Sequence, residues 1–433
     1  MSLRNKLFAD GVYTFVFRLA NMGVAAILGI LTARLLGPHG RGIYALPLVA
    51  VSIASSAFSG LNAATSYFML RKRVGRGVLL PALLCAGTFV ALGIPAVIAI
   101  TYSMHASWAA LPAILALPAP AILAIFYGYQ IGIDRVRMNT TYATLNVLTL
   151  LAALLCAFAL FGREPRAAII GWVIGSDVFA AGALIWLLHD SKRLHYAPVR
   201  FKSYCSYGFR MGAVYLVSLL NYRADVYIVA ALGEPALLGM YTLAVAGAET
   251  LLAATQVSAV VSSPQIGSLE SEAAAAQLAA RCVRNNVLVA LVTCGVLWFA
   301  APLLIRILYG PAFMPMIPAL RVLLIGVFAL SLGSPMSTFF TIRQGKPQIP
   351  MMLAGLSAAI CIGITLATIH RLGLVGAAIG STSGYVVAQG TAILVFSRGL
   401  SMPLRTLLVP RWSDITAYAH ASGSLLRRLR GTA

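Results

Sequence analysis

Apolar runs of about twenty residues, the length a helix needs to cross a hydrocarbon core, follow one another along the chain, separated by short polar stretches. Twelve such spans can be read: 9–34, 42–70, 78–101, 108–132, 140–161 and 167–188, then 208–232, 238–262, 286–308, 315–341, 349–369 and 373–397. The pattern predicts an all-α polytopic membrane protein. A longer basic loop at 189–207 separates an N-terminal six-helix lobe (1–188) from a C-terminal one (208–397). A basic tail, 398–433, ends in Leu425-Leu426-Arg427-Arg428-Leu429-Arg430, a pattern suited to an anionic membrane surface.

The two halves share a signature. Leu36-Gly37-Pro38 precedes Gly42-Ile43-Tyr44-Ala45-Leu46, and Leu232-Gly233-Glu234-Pro235 precedes Gly239-Met240-Tyr241-Thr242-Leu243. The offset is 197 residues from Tyr44 to Tyr241, with matching flanking hydropathy, so an internal duplication is expected. An even number of spans separates the copies, which makes the repeats parallel. Parallel repeats imply two lobes related by an axis along the membrane normal, around a central cavity.

Composition agrees with the pattern. Sixty per cent of residues are hydrophobic and ten per cent charged, more apolar surface than a soluble domain can bury. The net charge of +21 would suit nucleic acid, but the basic residues sit in short loops on one side of the predicted membrane. The external loops hold only Arg41, Arg163, Arg166 and Arg371, so both termini are expected in the cytoplasm and no nucleic-acid partner is expected. The six cysteines lack disulfide or metal spacing; Cys205 and Cys282 fall in loops expected to be cytoplasmic. No phosphate-cradling glycine loop, metal-ligand pair or nucleophile elbow is present, so no cofactor or metal is expected. The external loops are too short for a catalytic domain.

Candidate chemistry lies in polar residues within the spans. Ser52, Ser55, Ser59, Asn62 and Ser66 follow steps of three and four, one face of span two. Such a face either lines a sugar-accommodating passage or packs helices through small polar side chains. The 197-residue shift maps Ser52 to Glu249 and Ser59 to Gln256, a polar face on span eight. In span one, Thr14, Arg18 and Asn21 share a face; an intramembrane arginine is costly and marks a wet cavity, its alternative being an ion pair or snorkelling. Arg223 and Asp225 in span seven point in nearly opposite directions on a regular helix. Arg223 is therefore a ligand candidate, and Asp225 is a coupling or structural carboxylate. Glu249, near the middle of its span, is a candidate for proton or sodium coupling or for an ion pair with Arg18 or Arg223.

Ala33-Arg34-Leu35-Leu36-Gly37-Pro38 leading to Gly42-Ile43-Tyr44 resembles the opening of oligosaccharide flippases in the multidrug/oligosaccharidyl-lipid/polysaccharide exporter superfamily. Arg223-Ala224-Asp225 with Gly239-Met240-Tyr241, Tyr309-Gly310-Pro311-Ala312-Phe313, and Gly373-Leu374-Val375-Gly376-Ala377-Ala378 are similar to later segments of that family, in the same order. The resemblance implies alternating access and a polyprenyl-diphosphate-linked oligosaccharide as cargo, moved to the outer leaflet of a bacterial inner membrane for surface polysaccharide biosynthesis. It also implies membrane lipids and a polysaccharide polymerase or ligase as partners. Span one departs from the pattern in carrying a single mid-membrane arginine. The substrate-binding candidates are then Arg18, Asn21, Ser52, Ser59, Asn62, Arg223 and Gln256. A drug or organic-cation antiporter of the same fold is the alternative, and a membrane glycosyltransferase or polymerase a third reading.

Overall fold

The computed structural model describes residues 3–252, 271–400 and 402–410, with the single positions 255, 266 and 269. Described residues form helices α1 (Leu3–Ser56), α2 (Ser59–Lys72), α3 (Leu79–Ser103), α4 (Ala110–Ala116), α5 (Pro118–Gly132), α6 (Val136–Phe161) and α7 (Pro165–Asp190). They continue with α8 (Phe201–Leu232), α9 (Pro235–Thr250), α10 (Glu272–Leu308), α11 (Ile317–Thr338), α12 (Gln348–Leu372), α13 (Leu374–Gly399) and the short α14 (Leu404–Leu408). Among the described residues the only strand-like pairing is an isolated bridge between Gly75 and Tyr196.

Among the described residues, ten segments are long and apolar enough to cross a membrane. The first, Val16–Lys72, is 57 residues long, enough for two crossings at 1.5 Å per residue. It folds back where Gly37 adopts φ 66°, a left-handed conformation that interrupts the helix just before Pro38. Helix α9 begins at the expected eighth span. Large apolar side chains such as Phe299 (82% exposed) and Leu160 (76%) face outward, as hydrocarbon surroundings demand and water would penalise. The chain is a multi-pass helical membrane protein.

Several expected boundaries move, each for a physical reason. Span two is not one regular helix. It breaks at Ala57–Phe58, where Phe58 N–H bonds Ser55 O and Gly60 N–H bonds Ala57 O in the tighter three-residue pattern. Ser52 and Ser56 hydroxyls donate to the carbonyls of Val49 and Ile53, back-bonding that bends helices. The expected fourth span divides into α4 and α5 at Leu117-Pro118, because Pro118 has no N–H to continue the ladder. Helices α8 and α10 start well before their apolar runs, so Cys205 and Cys282 are buried helical residues and not loop residues. Hydropathy marks where a helix enters hydrocarbon; hydrogen bonding carries it further into water.

The chain packs into two units, one comprising Met1–Thr242 with Leu308–Phe313 and the other Leu243–Ile307 with Met314–Ala433. In the first, Phe58, Phe89, Phe126, Tyr129 and Tyr204 are buried in one core shared by α2, α3, α5, α7 and α8. Helices α2 and α8 meet closely: a Cβ on Gly60 would stand 2.1 Å from Gly208 O. Asp190, at the end of α7, accepts hydrogen bonds from Tyr129 Oη (3.0 Å) and Arg135 Nη1 (3.3 Å). In the second unit, Phe339, Phe340 and Phe396 form an edge-to-face cluster against α10 alanines. Arg284 Nη1 donates to Thr406 O at 2.8 Å and ties α10 to α14.

The two occurrences of the motif meet. In the first unit, a Cβ on Gly42 would stand 1.6 Å from Pro235 O, and one on Gly239 would stand 2.2 Å from Pro38 O. Pro235 and Gly239 are Pro38 and Gly42 shifted by the same 197 residues. The two turns therefore exchange equivalent contacts, glycine of each against proline carbonyl of the other. Tyr44 and Tyr241, the shared aromatic of the motif, are both buried (2% and 0% exposed).

Candidate functional site

Helix α1 spends one edge of its polar face on α6. Asn21 Nδ2 donates to Ala143 O at 3.0 Å, Thr144 Oγ1 donates to Phe17 O at 3.3 Å, and the Tyr13 and Thr141 hydroxyls lie 2.8 Å apart. Tyr13 and Phe17 stack on the same side. Arg18 lies off this seam and is exposed. The face predicted from spacing is thus divided, Asn21 to a neighbouring helix and Arg18 outward.

The serine face of α1 and α2 survives the break. Ser52 is exposed and Ser55, Ser59, Asn62 and Ser66 are half-buried, while Phe58, Leu61, Ala64 and Thr65 turn into the core. The Ser66 hydroxyl donates to Asn62 O (3.0 Å) and Ala63 O (3.1 Å), so, like Ser52, it satisfies itself within the helix. Its oxygen keeps accepting capacity.

Helix α8 carries the span-seven cluster. It is regular through this region, so Arg223 and Asp225 diverge as the helical angle requires. Asp225 is buried (3% exposed); its Oδ1 accepts from Val226 N–H and its Oδ2 from Tyr241 Oη, from the next helix. Asp225 and Tyr241 stand nearly equidistant from the turn at Gly233, so the hairpin brings them level. Arg223 is half-buried. Tyr227 follows Arg223 by one helical turn, and its hydroxyl is buried beside Ser52, with Arg223 and Asp225 within electrostatic reach. That hydroxyl has no hydrogen-bond partner of ordinary geometry among the described residues. Tertiary structure so joins Ser52 and Arg223, 171 residues apart in sequence, around an uncommitted phenol. Tyr227 and Tyr241 were not singled out for chemistry by the spacing of charges; the repeat motif contains Tyr241, and Tyr227 lies one turn after Arg223.

The other named residues stand apart. Glu249 is half-buried on α9, in the part belonging to the second unit. Gln256 lies outside the described residues. Arg34 donates from Nε to Leu308 O at 2.8 Å, and Arg321 lies over the Trp298 ring at 5.5 Å. A cavity of about 1000 Å³ opens in the first unit among Ile43, Leu46, Trp108 and Leu238, with Arg166 and Glu234 at its polar side. None of the residues predicted from sequence lines it. Among the described residues no cluster of His, Cys, Asp and Glu is arranged to hold a metal ion.

A family model described as polysaccharide biosynthesis protein matches residues 7–270. Among solved structures, the chain is similar to lipid II flippase MurJ in an inward closed conformation, with TM-score 0.74 at 14% identity, covering 92% of this chain and 89% of that one. It is also similar to multidrug resistance transporters of the MATE family in the MOP superfamily. An inward-facing one gives TM-score 0.60 at 20% identity over 90% of this chain and 94% of that one. An outward-facing one gives 0.63 at 16% identity over 90% and 95%. No curated protein matches the chain. At these identities the solved structures establish a shared fold.

Proposed function

Because the chain belongs to the polysaccharide biosynthesis protein family, we propose that it is a flippase carrying a polyprenyl-diphosphate-linked oligosaccharide from the cytoplasmic to the outer leaflet of a bacterial inner membrane. The observation that carries the reading is the placement of Ser52, Tyr227 and Arg223 together, on faces the core of the first unit does not consume. A diphosphate crossing hydrocarbon loses its hydration, and only paired charge offsets that cost. Arginine suits the role, since its planar fork stays charged and meets two phosphate oxygens at once. Arg18 and Arg223 hold the diphosphate in this account. Ser52, Ser59 and Asn62, together with the sequence candidates Asn21 and Gln256, offer hydrogen bonds to the sugars, and the prenyl tail stays in the lipid.

The two halves of the duplication, 1–188 and 208–397 joined through 189–207, act as the lobes that alternate access to a cavity. The chain's own chemistry is binding and release, without bond making, so it is read as a transporter and not an enzyme. Asp225 and Glu249 are the candidates for coupling to a proton or sodium gradient. A polysaccharide polymerase or ligase would take the product on the outer side. Folds shared with multidrug transporters keep an organic-cation antiporter as the second reading, with Glu249 as its expected ligand.

The test is the lipid-linked glycan pool of the native host with and without the gene. Completed lipid-linked oligosaccharide trapped on the cytoplasmic leaflet, with surface polysaccharide missing, is the expected result. An unchanged pool with altered sensitivity to cationic drugs would replace this reading with the antiporter.

A further inference from the structure

Arg41 sits in the turn between the two halves of α1, flanked by Gly40 and Gly42. Its guanidinium lies over the Tyr44 ring at 5.1 Å, with the Tyr309 phenol close enough to feel its charge. Nε and Nη1 are buried and have no hydrogen-bond partner among the described residues, and no carboxylate forms an ion pair with Arg41 there. The residue as a whole is half-buried. Buried donors on a charged group are costly when unmet.

The duplication supplies an internal control. Shifted by 197 residues, Arg41 becomes Leu238, which is 1% exposed in the equivalent turn. The glycine–proline exchange is therefore made with a leucine at this position in one copy and an arginine in the other. Packing does not ask for the cation. The position is also held firmly. Gly42 lies against Pro235 O, Gly40 lies against the Pro165 ring, and Arg34 Nε binds Leu308 O at 2.8 Å, anchoring the turn that bears Tyr309. Burial pushes the Tyr309 hydroxyl above its ordinary pKa against the pull of Arg41, so it remains a neutral donor at physiological pH.

We propose that Arg41, with Tyr44 and Tyr309, forms an oxyanion site at the end of the first unit expected to be external, a site that takes the phosphate or diphosphate of a lipid headgroup. A cation and two phenols without a counter-carboxylate select an anion, and an arginine fork selects phosphate. This rests on the flippase reading for its biological sense, since it would receive the headgroup as it leaves the cleft. Two sources share the chemistry, the polyprenyl diphosphate of the cargo and the phosphate of an outer-leaflet phospholipid.

The experiment uses the full chain carrying Arg18→Ala and Arg223→Ala, so that the proposed cleft ligands are silent. Binding of radiolabelled inorganic pyrophosphate is measured in detergent, with a polyprenyl diphosphate and phosphatidylglycerol as competitors. Adding Arg41→Leu, which copies the natural leucine of the sister turn and keeps the fold, should weaken binding at least about tenfold, the usual scale for a charge-assisted contact. Arg41→Lys should recover part of it, and Tyr309→Phe should weaken it less. The better competitor identifies the source. Unchanged binding in Arg41→Leu, or no binding before that change is added, would overturn the site. Failure of the flippase reading shows elsewhere, as an unchanged glycan pool, so the two outcomes separate.

Discussion

Tyr241 Oη donates to Asp225 Oδ2 across the α8–α9 hairpin, and this one contact decides how the span-seven charges are used. A buried carboxylate that accepts from a phenol and from a backbone N–H is held in place by the fold, while Arg223, on the other side of the same helix, is left to the Tyr227 and Ser52 neighbourhood. Two predictions belong here. Tyr241→Phe removes one hydrogen bond to a buried charged group and should cost about 1–3 kcal/mol, read as lowered thermal stability in detergent. Arg223→Ala and Arg18→Ala should abolish export while the protein inserts and unfolds at the wild-type temperature. Normal export by both variants would remove the cationic-cavity mechanism.

At the level of elements, the duplicated turns are the most constrained feature. Gly42 and Gly239 leave no room for a methyl group, because each faces a backbone carbonyl that cannot rotate away as a side chain can. Gly42→Ala and Gly239→Ala should each force the two turns apart. Cysteines placed at Pro38 and Leu238 in a cysteine-free background should then cross-link more slowly than without the alanine. Gly37 is a different case: nothing crowds its Cβ position, and its φ of 66° is the requirement. Gly37→Ala should cost about 1–2 kcal/mol from left-handed backbone strain alone, without changing cross-linking of the turns.

For the whole molecule, the asymmetry of basic residues predicts both termini on the cytoplasmic side. Reporter fusions after Gly399 should be active only in their cytoplasmic form, and fusions in the turns at Gly162 and Gly373 only in their exported form. The opposite pattern would invert the direction assigned to transport and move the Arg41 site to the cytoplasmic face.

The helical membrane fold and its spans were legible in the chain because hydrocarbon imposes a length on every crossing helix and a cost on every buried charge, and both leave a mark along the sequence. Local patterns could not report how a donor or acceptor is finally spent. Spacing put Arg18 and Asn21 on one face, yet Asn21 bonds α6 and Arg18 does not. Serines at helical steps suggested an unbroken span two, yet back-bonding helps to break it at Ala57. The uncommitted donors of Arg41 and the phenol of Tyr227 became visible only when distant helices were in place, since hydrogen-bond partners are chosen in space and not along the chain.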